Sequence, residues 1–468
     1  MKPVLRPVAV LGVALAGAGL ALSGAVLPVR QPRPIPPAEA QGRTVSVCPP
    51  AGTVNAISAT TWGELEIRPL TAATGLAVPP GRGRTIPSGE QPVLMLAEGR
   101  QNQASAASAY GNLDNGRDRG LSLARCSVPT TTAWFTGLAA DPGQAGLTAR
   151  SEVVLVNPDE GQAEVDLRFF GPNGVQTASG GRGITVPGRS TRVIALESLF
   201  TQPERVGMEV RTARGRIWSA VRQHASLGVQ PAGSDWQVAS AHPAPVQVVP
   251  GVPDGPGSRE LVLTNPGARR TTAKVEVIGP DGTFAPADAA SVDVNAESTV
   301  RVPITTGLNG DVGAVRVTAD QPLVAAVSSR SSDVSAESDL AVQPAAAELT
   351  GTSLAAVAVD RGVTGAVVVS NTGTRDANVP MKVVDATGRE LMSVELPVAA
   401  GRSNLWEIKQ VDVPAAVQIR TPRDAQLYAG VVLTSGSGPV AGLASAPFSV
   451  PEQTTAGVDP VHDPGVGR

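Results

Sequence analysis

Residues 261–266, Leu-Val-Leu-Thr-Asn-Pro, decide the fold because the chain contains this short pattern three times. The other two copies are Val-Val-Leu-Val-Asn-Pro at 153–158 and Val-Val-Val-Ser-Asn-Thr at 367–372. The asparagines of successive copies lie 108 and 106 residues apart. Recurrence at a nearly constant period indicates repeated structural modules, so the chain is divided by this repeat before anything else is considered.

Each copy is followed by a turn at a constant distance. The turns begin 14 residues after the asparagine and read Gly-Pro-Asn-Gly at 171–174, Gly-Pro-Asp-Gly at 279–282 and Asp-Ala-Thr-Gly at 385–388. Asn-Gly and Asp-Gly tolerate the positive φ of tight hairpins. Apolar and polar residues alternate before each turn, which is the period of a strand with one buried face.

Two more apolar runs follow in every repeat, and we predict two strands joined by a short turn. Many short strands with frequent turn residues are typical of sandwiches. The sequence therefore predicts an all-β protein built from tandem immunoglobulin-like β-sandwich modules. The paired runs are 207–211 with 217–221, 313–318 with 323–327, and 415–420 with 427–432.

The repeat also gives the domain boundaries. We predict β-sandwich modules at 131–243, 244–345 and 346–450, and a divergent β module at 43–130. The first module lacks the Asn-and-turn spacing, but its end resembles the ends of the next two. Residues 451–468 have little apolar content and are predicted to be a disordered tail.

The N-terminus carries the features of an export signal. Lys2 and Arg6 precede an apolar stretch that ends at Val29, so residues 1–29 are a signal anchor or a signal peptide. The stretch has the length of a membrane-spanning helix. Ala-Glu-Ala at 38–40 also fits a signal-peptidase site, which leaves a secreted form as the alternative. Residues 30–42 form a Pro-rich linker, and we expect an extracytoplasmic protein anchored to the cell membrane by its N-terminal helix.

The two cysteines of the chain bracket the first module. An even number of cysteines in an exported chain favours a disulfide between Cys48 and Cys126. Closing a loop of 78 residues contributes roughly 4 kcal/mol in the chain-entropy model. Two buried free thiols are the alternative.

The sequence contains little that predicts catalysis. The formal net charge of -3 gives no electrostatic reason to expect binding to nucleic acid, which usually needs a clustered basic surface. The three histidines, His224, His242 and His462, lack the spacing of a zinc site or a local triad. Ser353 lies in Gly-Thr-Ser-Leu-Ala, which lacks the last glycine of a nucleophile elbow. We therefore predict no enzymatic activity, no cofactor and no bound metal.

Tryptophan is the remaining residue type that suggests binding. Trp218 and Trp236 fall in predicted strands, and we interpret them as core or inter-module packing. Trp134 precedes the first clear repeat and is expected at a junction between modules. Trp406 is the candidate for an exposed ligand platform, because a flat aromatic surface suits a sugar ring.

The pattern as a whole resembles a domain-of-unknown-function family of actinobacterial envelope proteins. The resemblance rests on the anchor, on Trp-Phe-Thr-Gly at 134–137, and on the Leu-x-Asn-Pro segments with their Gly-Pro-Asn/Asp-Gly turns. The third copy departs from it, because Thr372 follows Asn371 where the others have proline. The resemblance implies membrane association or secretion in a cell envelope, and it implies no catalytic residues.

These observations lead to one main functional hypothesis. We expect a non-catalytic extracytoplasmic scaffold or adhesion-type protein, whose row of modules holds a surface for protein interaction away from the membrane. The expected partner is another envelope protein. The alternative is a protein that binds cell-wall polysaccharide through Trp406.

Overall fold

A computed structural model gives the fold of most of the chain. It describes residues 42–50, 56–61, 64–87, 89, 91–99, 105–115, 118–139, 147–200, 205–287, 289–332, 338–357, 362–385, 387–408, 415–435 and 442–450. The predicted N-terminal helix, nearly all of the Pro-rich linker and the predicted tail lie outside these residues. Of the helices in the described part, none has the length and apolar character needed to cross a membrane.

Strands make up most of the described chain and helices only a few residues, so the predicted fold class is confirmed. The strands fall into four sets that we call modules 1 to 4. Module 1 contains β1 (Gly42–Cys48), β2 (Ala56–Thr61), β3 (Glu64–Pro69), β4 (Leu76–Val78), β5 (Gly83–Pro87), β6 (Val93–Gly99), β7 (Ser105–Asn115) and β8 (Asp118–Arg125). Module 2 contains β9 (Thr132–Ala139), β10 (Leu147–Asn157), β11 (Ala163–Gly171), β12 (Gly174–Gln176), β13 (Ile184–Val186), β14 (Ser190–Ala195), β15 (Arg205–Arg214), β16 (Trp218–Leu227) and β17 (Gln230–Val238).

The other two modules follow in the same manner. Module 3 contains β18 (Ala244–Val252), β19 (Arg259–Asn265), β20 (Thr271–Gly279), β21 (Gly282–Phe284), β22 (Ser291–Val294), β23 (Ser298–Pro303), β24 (Gly313–Arg330) and β25 (Leu340–Pro344). Module 4 contains β26 (Thr352–Val357), β27 (Val363–Asn371), β28 (Ala377–Asp385), β29 (Glu390–Val398), β30 (Ser403–Ile408), β31 (Ala415–Arg420), β32 (Leu427–Ser435) and β33 (Gly442–Pro447). A short helix, α1 (Thr305–Leu308), and one 3₁₀ turn, Leu196–Ser198, are the helical segments of the described chain.

The alternating patterns form strands with one face in the core of their module. In β11, Ala163, Val165 and Leu167 are buried, whereas Glu164 and Arg168 on the opposite face are exposed. The tight turn after β11 puts Phe170 opposite Val175, which makes the predicted hairpin. The period-two pattern was therefore a reliable guide to the strands that carry the repeat.

All four modules have the same strand order, module 1 included. In module 4, one sheet has the order β26-β31-β28-β29 and the other has the order β30-β27-β32-β33. We call them sheet I and sheet II, and the equivalent sheets of module 1 are β1-β6-β3-β4 and β5-β2-β7-β8. In modules 1 and 4, as in immunoglobulin domains, the second strand pairs with the fifth and the third with the sixth. The first strand, however, joins the sixth, whereas in an immunoglobulin domain it lies in the sheet of the second strand. Modules 2 and 3 have two short strands in place of the fourth, so the same pairings there involve the sixth and seventh strands.

Module 3 departs from the predicted pair of strands and turn. The predicted strands at 313–318 and 323–327 are one continuous strand, β24, instead of two strands separated by a turn. The first part of β24 pairs with β18 and β20 in sheet I, and its last part pairs with β19 and β25 in sheet II. Pro322 does not interrupt the strand, because a proline is tolerated where the ladder hydrogen bonds change partner.

The four modules form a closed ring. Sheet I of each module packs on sheet II of the next: β9 contacts β19 and β24, β18 contacts β27 and β32, and β26 contacts β2 and β7. Buried side chains of module 1 sheet I and module 2 sheet II share one apolar cluster. The last strands, β8, β17, β25 and β33, contact one another in a cycle at the centre. All of these strands belong to one compact unit.

The ring differs from the row of modules expected from the sequence. In β10, Leu155 packs in the core of module 2, whereas its neighbours Val154 and Val156 pack on module 1. Burial on both faces makes this strand continuously apolar instead of alternating. The ring closes where module 4 meets module 1, and there Gly81 approaches Gly388 so closely that no Cβ fits.

Candidate functional site

The repeated asparagines have a structural role. The side-chain amide of Asn157 donates to the main-chain oxygens of Gly161 and Val186, at 2.7 and 3.0 Å, and its Oδ1 accepts the N–H of Asp159. Asn265 and Asn371 make the same three types of bond in their own modules. Each asparagine thus holds the turn that follows its strand.

The predicted disulfide between Cys48 and Cys126 is confirmed. The chain after β8 crosses to sheet I of module 1, where Ser127 and Val47 exchange two main-chain hydrogen bonds beside the disulfide. The hydroxyl of Ser127 accepts the indole N–H of Trp218, at 2.9 Å. The disulfide therefore lies next to the junction between modules 1 and 2.

Three of the tryptophans lie at junctions of the ring. Trp218 and Trp236 belong to the apolar cluster between modules 1 and 2, as the packing interpretation predicted. The ring of Trp134 stacks on Phe170 with 6.0 Å between centroids, and Val324 of module 3 completes this cluster. These aromatic residues hold modules together and are not available to a ligand. Trp62 lies outside the described residues.

Trp406, the predicted ligand platform, is half-buried in β30. It lies opposite Val367, which is fully buried in the core of module 4, and it packs against that core. One face of the side chain is thus directed into its own module at the edge of sheet II. The role of Trp406 in binding stays a prediction.

The residues considered for catalysis are dispersed. His224 has its Nε2 3.8 Å from Glu152 Oε2 in sheet II of module 2, and the carbonyl of His242 accepts a bond from Gln247. Ser353 is buried in β26 and donates to the oxygen of Thr350. His462 lies outside the described residues. In the part of the chain that the structure describes, no three His, Cys, Asp or Glu residues are grouped to hold a metal ion.

A polar centre of the ring is the main feature that the sequence did not predict. The carboxylate of Asp339 accepts the N–H groups of Leu121, Leu340 and Leu443, each at 2.8 Å. These donors belong to modules 1, 3 and 4. Arg330, also buried, donates to the oxygen of Ala232 in module 2. Four modules are therefore joined through one carboxylate and one guanidinium.

Burial dominates the electrostatics of this centre. It raises the pKa of the Asp339 carboxyl to about 7, although the three N–H bonds and Arg330 favour the ionised form. Burial also raises the pKa of Asp235 well above its ordinary value, and Asp235 accepts the N–H of Val342 at 2.8 Å. Both carboxyls are buried among strands of different modules and accept main-chain N–H groups from them. Their role is therefore to hold the modules of the ring together.

The exposed surface of module 4 contains a cleft of about 690 Å³. Its walls are the connection from β31 to β32, the turn after β27 and the segment before β26. The connection is long. Ile419 and Tyr428 are nine residues apart, whereas Val317 and Val324, in the same register positions of module 3, are seven apart. Arg375 and Arg423 stand exposed at the rim, and burial raises the pKa of Glu348.

A second cleft, of about 460 Å³, lies on sheet I of module 1. Glu64 and Glu66 of β3 line it, together with Ala77 of β4 and Leu96 of β6. Arg68 lies 3.9 Å from Glu66 and donates to the oxygen of Ala73. Both charged residues that line the second cleft are therefore acidic, whereas the first is lined by two arginines and two carboxylates, Glu348 and Asp424.

The comparisons with known proteins bear on the family alone. Residues 82–409 match the family described as a family of unknown function, DUF5719. The match begins in module 1, ends in module 4 and covers more than half of the chain. No curated protein matches the sequence.

Proposed function

The chain belongs to the DUF5719 family, and from that premise we propose that it is a non-catalytic scaffold or adhesion-type protein of the cell envelope. The observation that carries the proposal is the closed ring itself. The buried carboxylate of Asp339 accepts N–H groups from modules 1, 3 and 4, so these modules cannot move independently. A rigid body of this size presents loops and strand edges in fixed relative positions, which suits binding to another protein.

The setting in the envelope is part of the proposal. The Cys48–Cys126 disulfide supports it, because disulfides form and persist in oxidising compartments. The apolar N-terminal stretch and the Pro-rich segment after it support attachment to the membrane on the outer side. The proposed partner is an envelope protein that contacts the exposed loops or clefts of the ring.

Crosslinking in intact host cells tests this function. A membrane-impermeant, amine-reactive crosslinker is applied to cells that make the tagged full-length chain, and its products are identified by mass spectrometry. We expect one or a few envelope proteins that are absent when an unrelated exported protein carries the tag. Recovery of no specific protein contradicts the proposal.

Charge-reversal variants show whether the module 4 cleft takes part. Arg375→Glu with Arg423→Glu changes its rim, and Arg182→Glu, at an exposed loop of module 2, is the matched control. A contribution of the cleft predicts fewer crosslinks for the double variant and unchanged crosslinks for the control.

Binding of cell-wall polysaccharide is the second candidate. The observation that favours it is the partly exposed indole of Trp406 at the edge of sheet II. Retention of the folded ectodomain on isolated cell wall, lost in Trp406→Ala and kept in Val229→Ala, is the expected result. Equal retention of both variants removes Trp406 from consideration.

A further inference from the structure

At two junctions of the ring, the preceding module covers the edge strand of sheet II that pairs with the second strand of its module. In module 3, Thr299 of β23 donates its hydroxyl hydrogen to the oxygen of Phe170 in module 2, at 2.7 Å. In module 4, Ser403 of β30 donates in the same way to the oxygen of Ile278 in module 3, at 2.6 Å. Thr299 is 4% exposed and Ser403 is 3% exposed. The same contact thus seals two successive junctions.

The equivalent position in module 2 is open. Thr191 of β14 lies opposite Val156, just as Thr299 lies opposite Thr264, but Thr191 is exposed. Val193, two residues further along, is 55% exposed. Both side chains are on the junction face, because their cross-strand partners in β10 pack on module 1. The junction between modules 1 and 2 is therefore incomplete at its outer edge.

The acidic cleft of module 1 lies on the other wall of this junction. Val47 and Ser127 are direct cross-strand neighbours, so their side chains lie on the same face of sheet I. The Ser127 hydroxyl contacts Trp218 of module 2, and this face is therefore the one that meets module 2. The strand register places Leu96 on that face, and Glu66 lies opposite Leu96. Glu64, two residues before Glu66, is on the same face.

We propose that this open junction edge, formed by Thr191, Val193, Glu64 and Glu66, binds an extended segment of a partner protein. The inference rests on the proposed scaffold function and names the surface that performs it. The segment takes the place of the hairpins β11–β12 and β20–β21, which supply the carbonyl acceptors at the next two junctions. Its main-chain carbonyl accepts the Thr191 hydroxyl, an apolar side chain covers Val193, and a lysine or arginine pairs with Glu64 and Glu66.

Three observations support an occupant of this chemistry. The open edge continues an established interface, because Val154 and Val156 beside it already pack on module 1. The hydroxyl of Thr191 stands where two equivalent hydroxyls bind a main-chain carbonyl. The cleft opposite is acidic, so it favours a basic side chain. Strand edges are common sites for the binding of extended segments.

Site-specific photocrosslinking in intact cells tests the proposal. A photoreactive phenylalanine analogue replaces Val193 in the full-length chain, and the matched control places it at Val229, which is 92% exposed. We expect Val193 to yield crosslinks to a single segment of one protein, with a lysine or arginine within a few residues. The control is expected to lack this product. Glu64→Lys with Glu66→Lys is expected to reduce the yield at least about tenfold, and added salt is expected to weaken it.

The other outcomes overturn the proposal in distinguishable ways. Amine-reactive crosslinks to a partner without any product from Val193 contradict the open junction edge and leave the scaffold function standing. Crosslinks from Val193 to residues of this chain itself show that its own segment covers the edge. Crosslinks that persist in the double lysine variant contradict the assigned chemistry of the cleft. Absence of every crosslink contradicts both proposals.

Discussion

Asp339 accepts a hydrogen bond from the main-chain N–H of Leu121, which lies 218 residues earlier in the chain and only 2.8 Å away in space. The same carboxylate oxygen accepts the N–H of Leu443, 104 residues later. One side chain of module 3 thus connects the first module to the last, and it does so at the place where the ring closes. Its removal is the most direct test of that closure.

Asp339→Ala is expected to destabilise the folded chain by at least about 3 kcal/mol, because three buried N–H groups lose their acceptor. Equilibrium unfolding in denaturant, followed by tryptophan fluorescence, measures the change. Asp281→Ala, in an exposed turn, is the control and is expected to stay within about 0.5 kcal/mol of the parent chain. Equal stability of the two variants contradicts the structural role of Asp339.

The raised pKa of Asp339, about 7, predicts a pH dependence of stability. Between the ordinary pKa of an aspartic acid and pH 7, the folded state holds a proton that the unfolded state has released. The free energy of unfolding therefore falls as the pH rises through this window. Denaturant midpoints at pH 4.5 and 7.5 measure the change, and Asp339→Asn is expected to show a smaller decrease than the parent chain. An identical pH profile for the two contradicts the assignment.

Reduction of the Cys48–Cys126 disulfide is expected to lower stability by as much as about 4 kcal/mol, because the loop that it closes spans 78 residues. Thermal unfolding with and without a reductant measures the effect. The chain has only these two cysteines, so a reductant acts on one bond. A Cys48→Ser, Cys126→Ser variant is the control, and its melting temperature is expected to be insensitive to reductant.

Thr299→Val and Thr191→Val make the same chemical change at equivalent positions of two modules. At Thr299 the change leaves the oxygen of Phe170 and the N–H of Gly207 without their buried partner, so a loss of about 1–3 kcal/mol is expected. At Thr191 the hydroxyl is exposed, and a change within about 0.5 kcal/mol is expected. Similar losses at both sites would show that the outer edge of the first junction is closed.

The sequence was informative where its signals are local. The period of the asparagines and the Gly-Pro-Asn/Asp-Gly turns predicted repeated strands, because hairpin turns and period-two burial depend on residues close together in the chain. The cysteine count predicted the disulfide. The turn predicted before Leu323 was wrong, because β24 continues through it and joins both sheets.

The ring has one local signal in the sequence. The runs at 153–156 and 367–369 are continuously apolar, which indicates strands buried on both faces, whereas a free-standing sandwich alternates. Asp339 had no such signal. It precedes an apolar strand, and a solvated carboxylate there has the same local sequence as a buried one.

Strand type, turns, the repeat and the disulfide thus follow from the order of the amino acids, because each depends on short-range geometry or on a simple pairing. The closed ring, the buried Asp339 and the open edge at Thr191 depend on the packing of modules a hundred or more residues apart. Whether a given strand face meets another module or solvent is set by that packing. For this reason the exposure that distinguishes Thr191 from Thr299 was visible only in the tertiary structure.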